Sequence, residues 1–218
     1  MIELLLKVLA SYLVGSLIGG LIVGRLRGGV DIRTLGSGNA GGTNALRTQG
    51  KAFALWVMVI DIGKGIVATR LIAPLSLQGL GLASAGDVRD WLPVACGLAA
   101  MLGHVYPLWY GFRGGKGVAT LVGVVFGVEP MLLAAMLVVW LVMVVVFGFV
   151  GLASIVAALS IAVVVVATGM QPSVPLLSLG IAVAVLVTYT HRSNLARMRA
   201  GTEPRARRLW LLGRRRAN

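Results

Sequence analysis

Three polar stretches interrupt an apolar chain, and each sets glycines beside hydroxyls, amides or cations. The first runs Leu35-Gly36-Ser37-Gly38-Asn39-Ala40-Gly41-Gly42-Thr43-Asn44-Ala45-Leu46-Arg47. Glycines let successive N–H groups turn toward one anion, while Ser37, Asn39, Thr43 and Asn44 add hydrogen bonds and Arg47 can hold two oxygens at once. Phosphate binding is the chemistry this pattern serves; a flexible polar connector is the plainer alternative. Gly36, Gly38 and Gly41 also satisfy GxGxxG, but that fingerprint requires a preceding strand in a βαβ unit. An apolar span and a basic loop precede it instead, which excludes a dinucleotide site.

The second stretch, Gly103 to Thr120, contains His104 and the run Gly114-Gly115-Lys116-Gly117. That run opens a short apolar segment. Free N–H groups at a helix start, the positive end of its dipole and the Lys116 ammonium together make a second anion site. It is not a Walker A loop, because Tyr110 stands at its first glycine position and Gly117 follows the lysine. The alternatives are a topology charge for Lys116 and a hydrogen-bonded helix-end residue for His104, which is also one candidate general base.

The third stretch, Thr190 to Glu203, places His191, Asn194 and Arg197 three residues apart, along one side of a helix. Beyond it, Arg205, Arg207, Arg208 and Arg214 to Arg216 read as a polybasic patch for an anionic leaflet.

The elements that must position these residues belong to a bilayer. Of 218 residues, 58% are hydrophobic and only 12% charged, about half the charged fraction of a soluble domain. Mean hydropathy is +0.92. The 61 residues from Pro130 to Thr190 contain no Asp, Glu, Lys or Arg. Disorder, collagen and disulfide scaffolds are excluded by composition. Cys96 has no cysteine partner, and two histidines without an HExxH motif predict no metal site. No nucleic-acid partner is expected.

A crossing helix takes about 20 apolar residues. Candidates are Val8 to Gly24, flanked by Glu3 and Lys7; Ala52 to Ala73, with Asp61 and Lys64 one turn apart; and Trp91 to Tyr110. Opposite charges at that spacing can pair in the bundle interior or border a polar cavity. Gly117 to Val128 is short for a crossing, and the long uncharged run has room for three helices, broken at Gly148–Gly151 and at Gln171–Pro175. No Ala-x-Ala site follows the first span, so cleavage there is not expected. Seven spans would place sixteen of the twenty Lys and Arg on one side, as the positive-inside rule requires. The expectation is an all-α, polytopic protein of about seven transmembrane helices, N-terminus outside and C-terminus cytoplasmic. Residues 1–203 would form the membrane domain and 204–218 a basic cytoplasmic tail.

Together the three stretches resemble the bacterial acyl-phosphate:glycerol-3-phosphate acyltransferases. The resemblance lies in Gly36-Ser37-Gly38-Asn39, Thr43-Asn44 and Arg47; in Gly103-His104, Pro107, Phe112 and Gly114 to Gly117; and in His191, Asn194, Arg197, Gly201 and Glu203. Asp61 and Lys64-Gly65 also match a family feature. Gly42 and Thr190 depart from it, standing where Ala and a basic residue are usual. The resemblance implies acyl transfer from acyl phosphate to the 1-hydroxyl of sn-glycerol 3-phosphate, giving lysophosphatidic acid and phosphate without a cofactor. It also implies an active site on the cytoplasmic side of the bacterial inner membrane, among membrane lipids. Ser37, His104, Lys116 and Asn194 are the expected catalytic residues. Phosphate binding is expected from Ser37, Gly38, Asn39, Thr43, Asn44, Arg47, Gly114, Gly115, Lys116, Gly117, His191 and Arg197. Oligomeric state is not readable from the sequence. A transporter of an anionic solute also suits glycine-rich helices with buried charges, but the segments show no inverted repeat. A membrane scaffold would leave three ordered polar motifs unexplained.

Overall fold

The computed structural model describes residues 1–82, 86–207 and 209–211, and among them every regular element is helical. Arg208 and Arg214 to Arg216 of the basic patch lie outside the described residues. The chain forms two compact units, one from Met1 to Glu129 and one from Pro130 onward.

In the first unit the opening span is broken. Helices α1 (Ile2–Gly15) and α2 (Gly19–Leu26) meet at a 45° bend. A polar loop follows, with a 3₁₀ turn at Ile32–Thr34, then α3 (Gly42–Gln49). Helix α4 (Lys51–Val67) continues through a π-helical turn to Ile72. After α5 (Gly86–Arg89) come α6 (Leu92–Val105) and the short α7 (Val118–Val128). Small residues let these helices meet backbone to backbone, the packing that stands in for the hydrophobic effect within lipid. A Cβ on Gly15 would run into the Ala100 backbone and one on Gly103 into the Tyr12 carbonyl, so α1 and α6 touch there. Gly65 and Gly123 do the same for α4 and α7, against the carbonyls of Thr120 and Ile62.

Glu3 and Lys7, expected as flanking charges of the first span, are instead buried inside it. They pair at 2.7 Å one turn apart, and the Lys7 ammonium donates to the Ala73 carbonyl at 2.7 Å. Helix α1 begins at Ile2, so both charges fall within it, on the side that packs inward. Pairing and a carbonyl partner lower the cost of their burial.

The second unit comprises α8 (Pro130–Phe147), α9 (Val150–Thr168), α10 (Ser173–Thr190) and α11 (Arg192–Arg199), broken where the sequence places its Gly and Pro signals. Helix α8 is apolar all round and exposes Val138, Leu141 and Val142, as a lipid-facing helix does. The extension after Glu203 returns to the α8–α9 connection. The Ala206 N–H donates to the Gly148 carbonyl at 2.8 Å, and Trp210 Nε1 donates to the Val146 carbonyl at 3.1 Å. The Arg205 guanidinium lies 3.9 Å from the Trp210 ring centre and 4.5 Å from that of Phe149. Arg205, Ala206 and Trp210 thus pack against the α8–α9 connection of their own unit.

Among the described residues, five helices, Lys51–Ile72, Leu92–Tyr110, Pro130–Phe147, Val150–Thr168 and Ser173–Thr190, are long and apolar enough to cross a membrane, or six if the bent pair is one span. The seventh expected span is Val118–Val128; its 11 residues extend about 16 Å against a core of about 30 Å.

Candidate active site

The bend in the first span frees backbone groups that water cannot satisfy at membrane depth. Two charges from α4 take them. Asp61 Oδ1 accepts the Gly19 N–H at 3.1 Å, and Lys64 Nζ donates to the Leu17 carbonyl at 2.9 Å. The two side chains pair with each other at 2.9 Å, the bundle-interior pairing that their spacing suggests. His104, at the end of α6, completes the cluster, its Nδ1 2.7 Å from Lys64 Nζ and 3.4 Å from Asp61 Oδ1. An ammonium has three donors, and here they are directed at Leu17, Asp61 and His104. A lysine ammonium donating to Nδ1 leaves Nε2 on the side of Gly115, where a Cβ would collide with it. All three side chains are nearly inaccessible, with His104 only 2% exposed.

The second polar loop is built on this histidine. After the turn at Leu108–Tyr110 the chain doubles back. Gly114 N–H donates to the Val105 carbonyl at 3.2 Å and Gly115 N–H to the His104 carbonyl at 3.1 Å. These two N–H groups, expected to cradle an anion, brace the loop instead, because it closes on the open end of α6. Lys116 follows, half-buried, and Gly117 starts α7 in the left-handed region at φ +83°, which disfavours any larger residue.

The first polar loop turns on Asn44, which differs from its expected role as a ligand. Its side chain is buried. Oδ1 accepts the Ser37 N–H at 2.9 Å, while Nδ2 lies 2.9 to 3.0 Å from the carbonyls of Ile32, Leu35 and Asn39. With its hydrogen-bonding capacity spent on the loop, Asn44 organises it. Ser37, Gly38, Thr43 and Arg47 are exposed on its surface and Asn39 is half-buried. Asp31 and Arg33, which belong to none of the three polar stretches, lie just ahead of this loop. Arg33 grips Asp31 through Nε and Nη2 and reaches the second loop through Nη1.

In the second unit His191 is buried, its Nδ1 2.8 Å from the Val187 carbonyl. A carbonyl only accepts, so Nδ1 donates that hydrogen bond. Asn194 and Arg197 converge on Glu203. Asn194 Nδ2 donates to Oε1 at 2.6 Å and Arg197 Nε to Oε2 at 2.7 Å. The three-residue repeat is legible in the sequence, whereas its common acceptor comes from the turn at Gly201, φ +69°, that brings Glu203 back. A Cβ on Gly151 would press on Asn194, so α9 holds that amide in place.

A model of the glycerol-3-phosphate acyltransferase family matches residues 5–201. The chain belongs to this family. Among glycerol-3-phosphate acyltransferases, that of Parasynechococcus marenigrum is 38% identical over 201 residues, covering 92% of this chain and 89% of its own. That of Aquifex aeolicus is also 38% identical over 201 residues, covering 92% and 98%. Two solved structures of PlsY, an integral membrane glycerol 3-phosphate acyltransferase, are similar throughout. The glycerol 3-phosphate form aligns with a TM-score of 0.78 at 38% identity and the lysophosphatidic acid form with 0.77 at 37%, each covering 93% of this chain and 94% of that one. This member of the glycerol-3-phosphate acyltransferase family is thus an all-α, multi-pass bacterial membrane protein.

Within this acyltransferase, His104 Nδ1 faces the Lys64 ammonium at 2.7 Å, an arrangement that suits a positioning role better than proton removal. His104→Asn keeps an acceptor near the Nδ1 position. Turnover should fall less than about tenfold with the shape of its pH profile unchanged, whereas loss of a general base would cost about 10²- to 10⁴-fold and remove one limb. Steady-state rates of the variant from pH 5.5 to 9 decide between the two.

Proposed function

We propose that this enzyme transfers an acyl group from acyl phosphate to the 1-hydroxyl of sn-glycerol 3-phosphate at the inner face of the bacterial cytoplasmic membrane. The hydroxyl oxygen bonds to the acyl carbonyl carbon, the bond from that carbon to the phosphate oxygen breaks, and lysophosphatidic acid and inorganic phosphate leave. Both substrates carry a phosphate, and family membership over nearly the whole chain is the observation that carries this reading.

The exposed Ser37, Thr43 and Arg47 and the half-buried Lys116 suit phosphate binding, with Gly38, Asn39 and Gly117 shaping the loops around them. In the second unit, His191 offers a polar ring and Arg197 a charge, and Asn194 and Arg197 are oriented by their common acceptor Glu203. Acyl phosphate is an activated mixed anhydride, so positioning and charge stabilisation supply most of the acceleration, and a substrate phosphate oxygen takes the hydroxyl proton. No cofactor is needed. The positive-inside count favours seven spans, N-terminus outside and C-terminus cytoplasmic, with the Ser37 and Lys116 loops on the inner face.

The test is the protein purified into lipid and given glycerol 3-phosphate with acyl phosphate, or with an acyl thioester as comparison donor. Release of phosphate matched by lysophosphatidic acid, with acyl phosphate alone, is the expected result. Use of the thioester would replace the donor, and turnover of neither by folded protein would end the enzymatic reading.

A further inference from the structure

Arg33 bridges the two polar loops of the first unit. Arg33 Nε lies 3.0 and 3.1 Å from the two Asp31 carboxylate oxygens and Nη2 2.7 Å from Oδ2, while Nη1 donates to the Arg113 carbonyl at 2.9 Å and the Tyr110 carbonyl at 3.3 Å. Asp31 is fixed in turn, because it also accepts the Arg33 N–H at 2.9 Å and caps the 3₁₀ turn. The side-chain hydrogen bond from Arg33 holds the Asp31 carboxyl below its usual range, so the pair stays ionised at neutral pH.

Between the two gripped carbonyls lies Phe112, at φ +58°, a backbone region that bulky side chains avoid. A turn of this kind persists where its surroundings fix both ends, and Arg33 does so. On one side, hydrogen bonds run from Arg33's own turn, through the Ile32 and Leu35 carbonyls and the Asn44 amide, to the Ser37 N–H. On the other, Arg113 is followed directly by the loop that carries Lys116.

We propose that Asp31 and Arg33 form a positioning clamp that sets the spacing between the Ser37 loop and the Lys116 loop, and with it the alignment of the two substrate phosphates for acyl transfer. The proposal rests on the function above. Neither residue acts on substrate; the planar guanidinium works through the backbone of both loops. Lysine keeps the charge but has no fork that can hold a carboxylate and two carbonyls together.

A partly exposed ion pair contributes little to fold stability, which separates the clamp from a structural contact. The experiment compares wild type, Arg33→Lys, Asp31→Asn, Asp31→Glu and the double variant Arg33→Lys/Asp31→Asn in lipid. It measures kcat and KM for each substrate, together with the melting temperature. Each disruptive single variant should lose about ten- to a hundredfold in kcat, the scale of a misplaced reacting group, at a melting temperature close to wild type. The double variant should be no slower than the worse single, and Asp31→Glu should recover part of the loss. Wild-type kcat in Arg33→Lys, a rise in KM alone, multiplicative losses in the double variant or a fall that follows unfolding would each overturn the clamp. An inactive wild type would instead overturn the functional reading, and the clamp with it.

Discussion

Lys116→Met should lower kcat/KM by about 10²- to 10³-fold, the usual cost of removing one charge-stabilising donor from an active site. Its melting temperature should change little, because Lys116 is only half-buried and the loop it sits on is closed by backbone bonds of Gly114 and Gly115 to the end of α6. Methionine keeps the length of the stem and removes the charge. An anhydride under attack gathers negative charge on its carbonyl and leaving phosphate, and an ammonium held beside the start of α7 can stabilise it. Lys116→Arg keeps the charge on a wider, planar head, so it should recover only part of the rate. Steady-state assay and a melting curve on the same preparations test both statements. Unchanged turnover in Lys116→Met would remove the lysine from the site.

The sequence was most readable where hydrophobic length and breakers decide the outcome. Ala52 to Ala73 became Lys51–Ile72, and the breaks expected at Gly148–Gly151 and Gln171–Pro175 separate α8 from α9 and α9 from α10. The bend after Gly15 was hidden, because no proline marks it and its freed groups are taken up by Asp61 and Lys64, 42 and 47 residues away from them. A charge pair at (i, i+3) announces that two side chains can meet, but not which backbone they will cap. For Asn44, exposure and burial look alike in a sequence, and three carbonyls of its own loop turned it inward. Arg33 reaches carbonyls about eighty residues on, and since every residue has a carbonyl, no residue type could have announced that contact. Family resemblance marked Asp61, Lys64 and Asn44 without assigning them such roles, and it did not mark Arg33.

Lys64→Met should destabilise the enzyme by about 3–5 kcal/mol, the cost of leaving a buried charge uncompensated. The substitution strips the Asp61 carboxylate of its cation, the Leu17 carbonyl of a donor and His104 Nδ1 of its partner in one step. Asp61→Asn is milder, since its amide oxygen can still accept from Gly19 and from the lysine, although the ammonium is then left among neutral partners. The double variant Asp61→Asn/Lys64→Met removes both charges, and replacing a buried pair together is often near neutral. It should therefore melt above Lys64→Met, an order opposite to additivity. Melting curves of all four proteins in one detergent test this order, and a double variant less stable than either single would show that the pair contributes net stability beyond mutual compensation. Activity supplies a second readout, because His104 holds both the pair and Gly115. Once Lys64 is gone the histidine can shift, and the loop carrying Lys116 shifts with it. Lys64→Met should accordingly lose turnover even at temperatures where it remains folded, whereas a pair that served only to close the helix bend would leave the rate of the folded fraction unchanged.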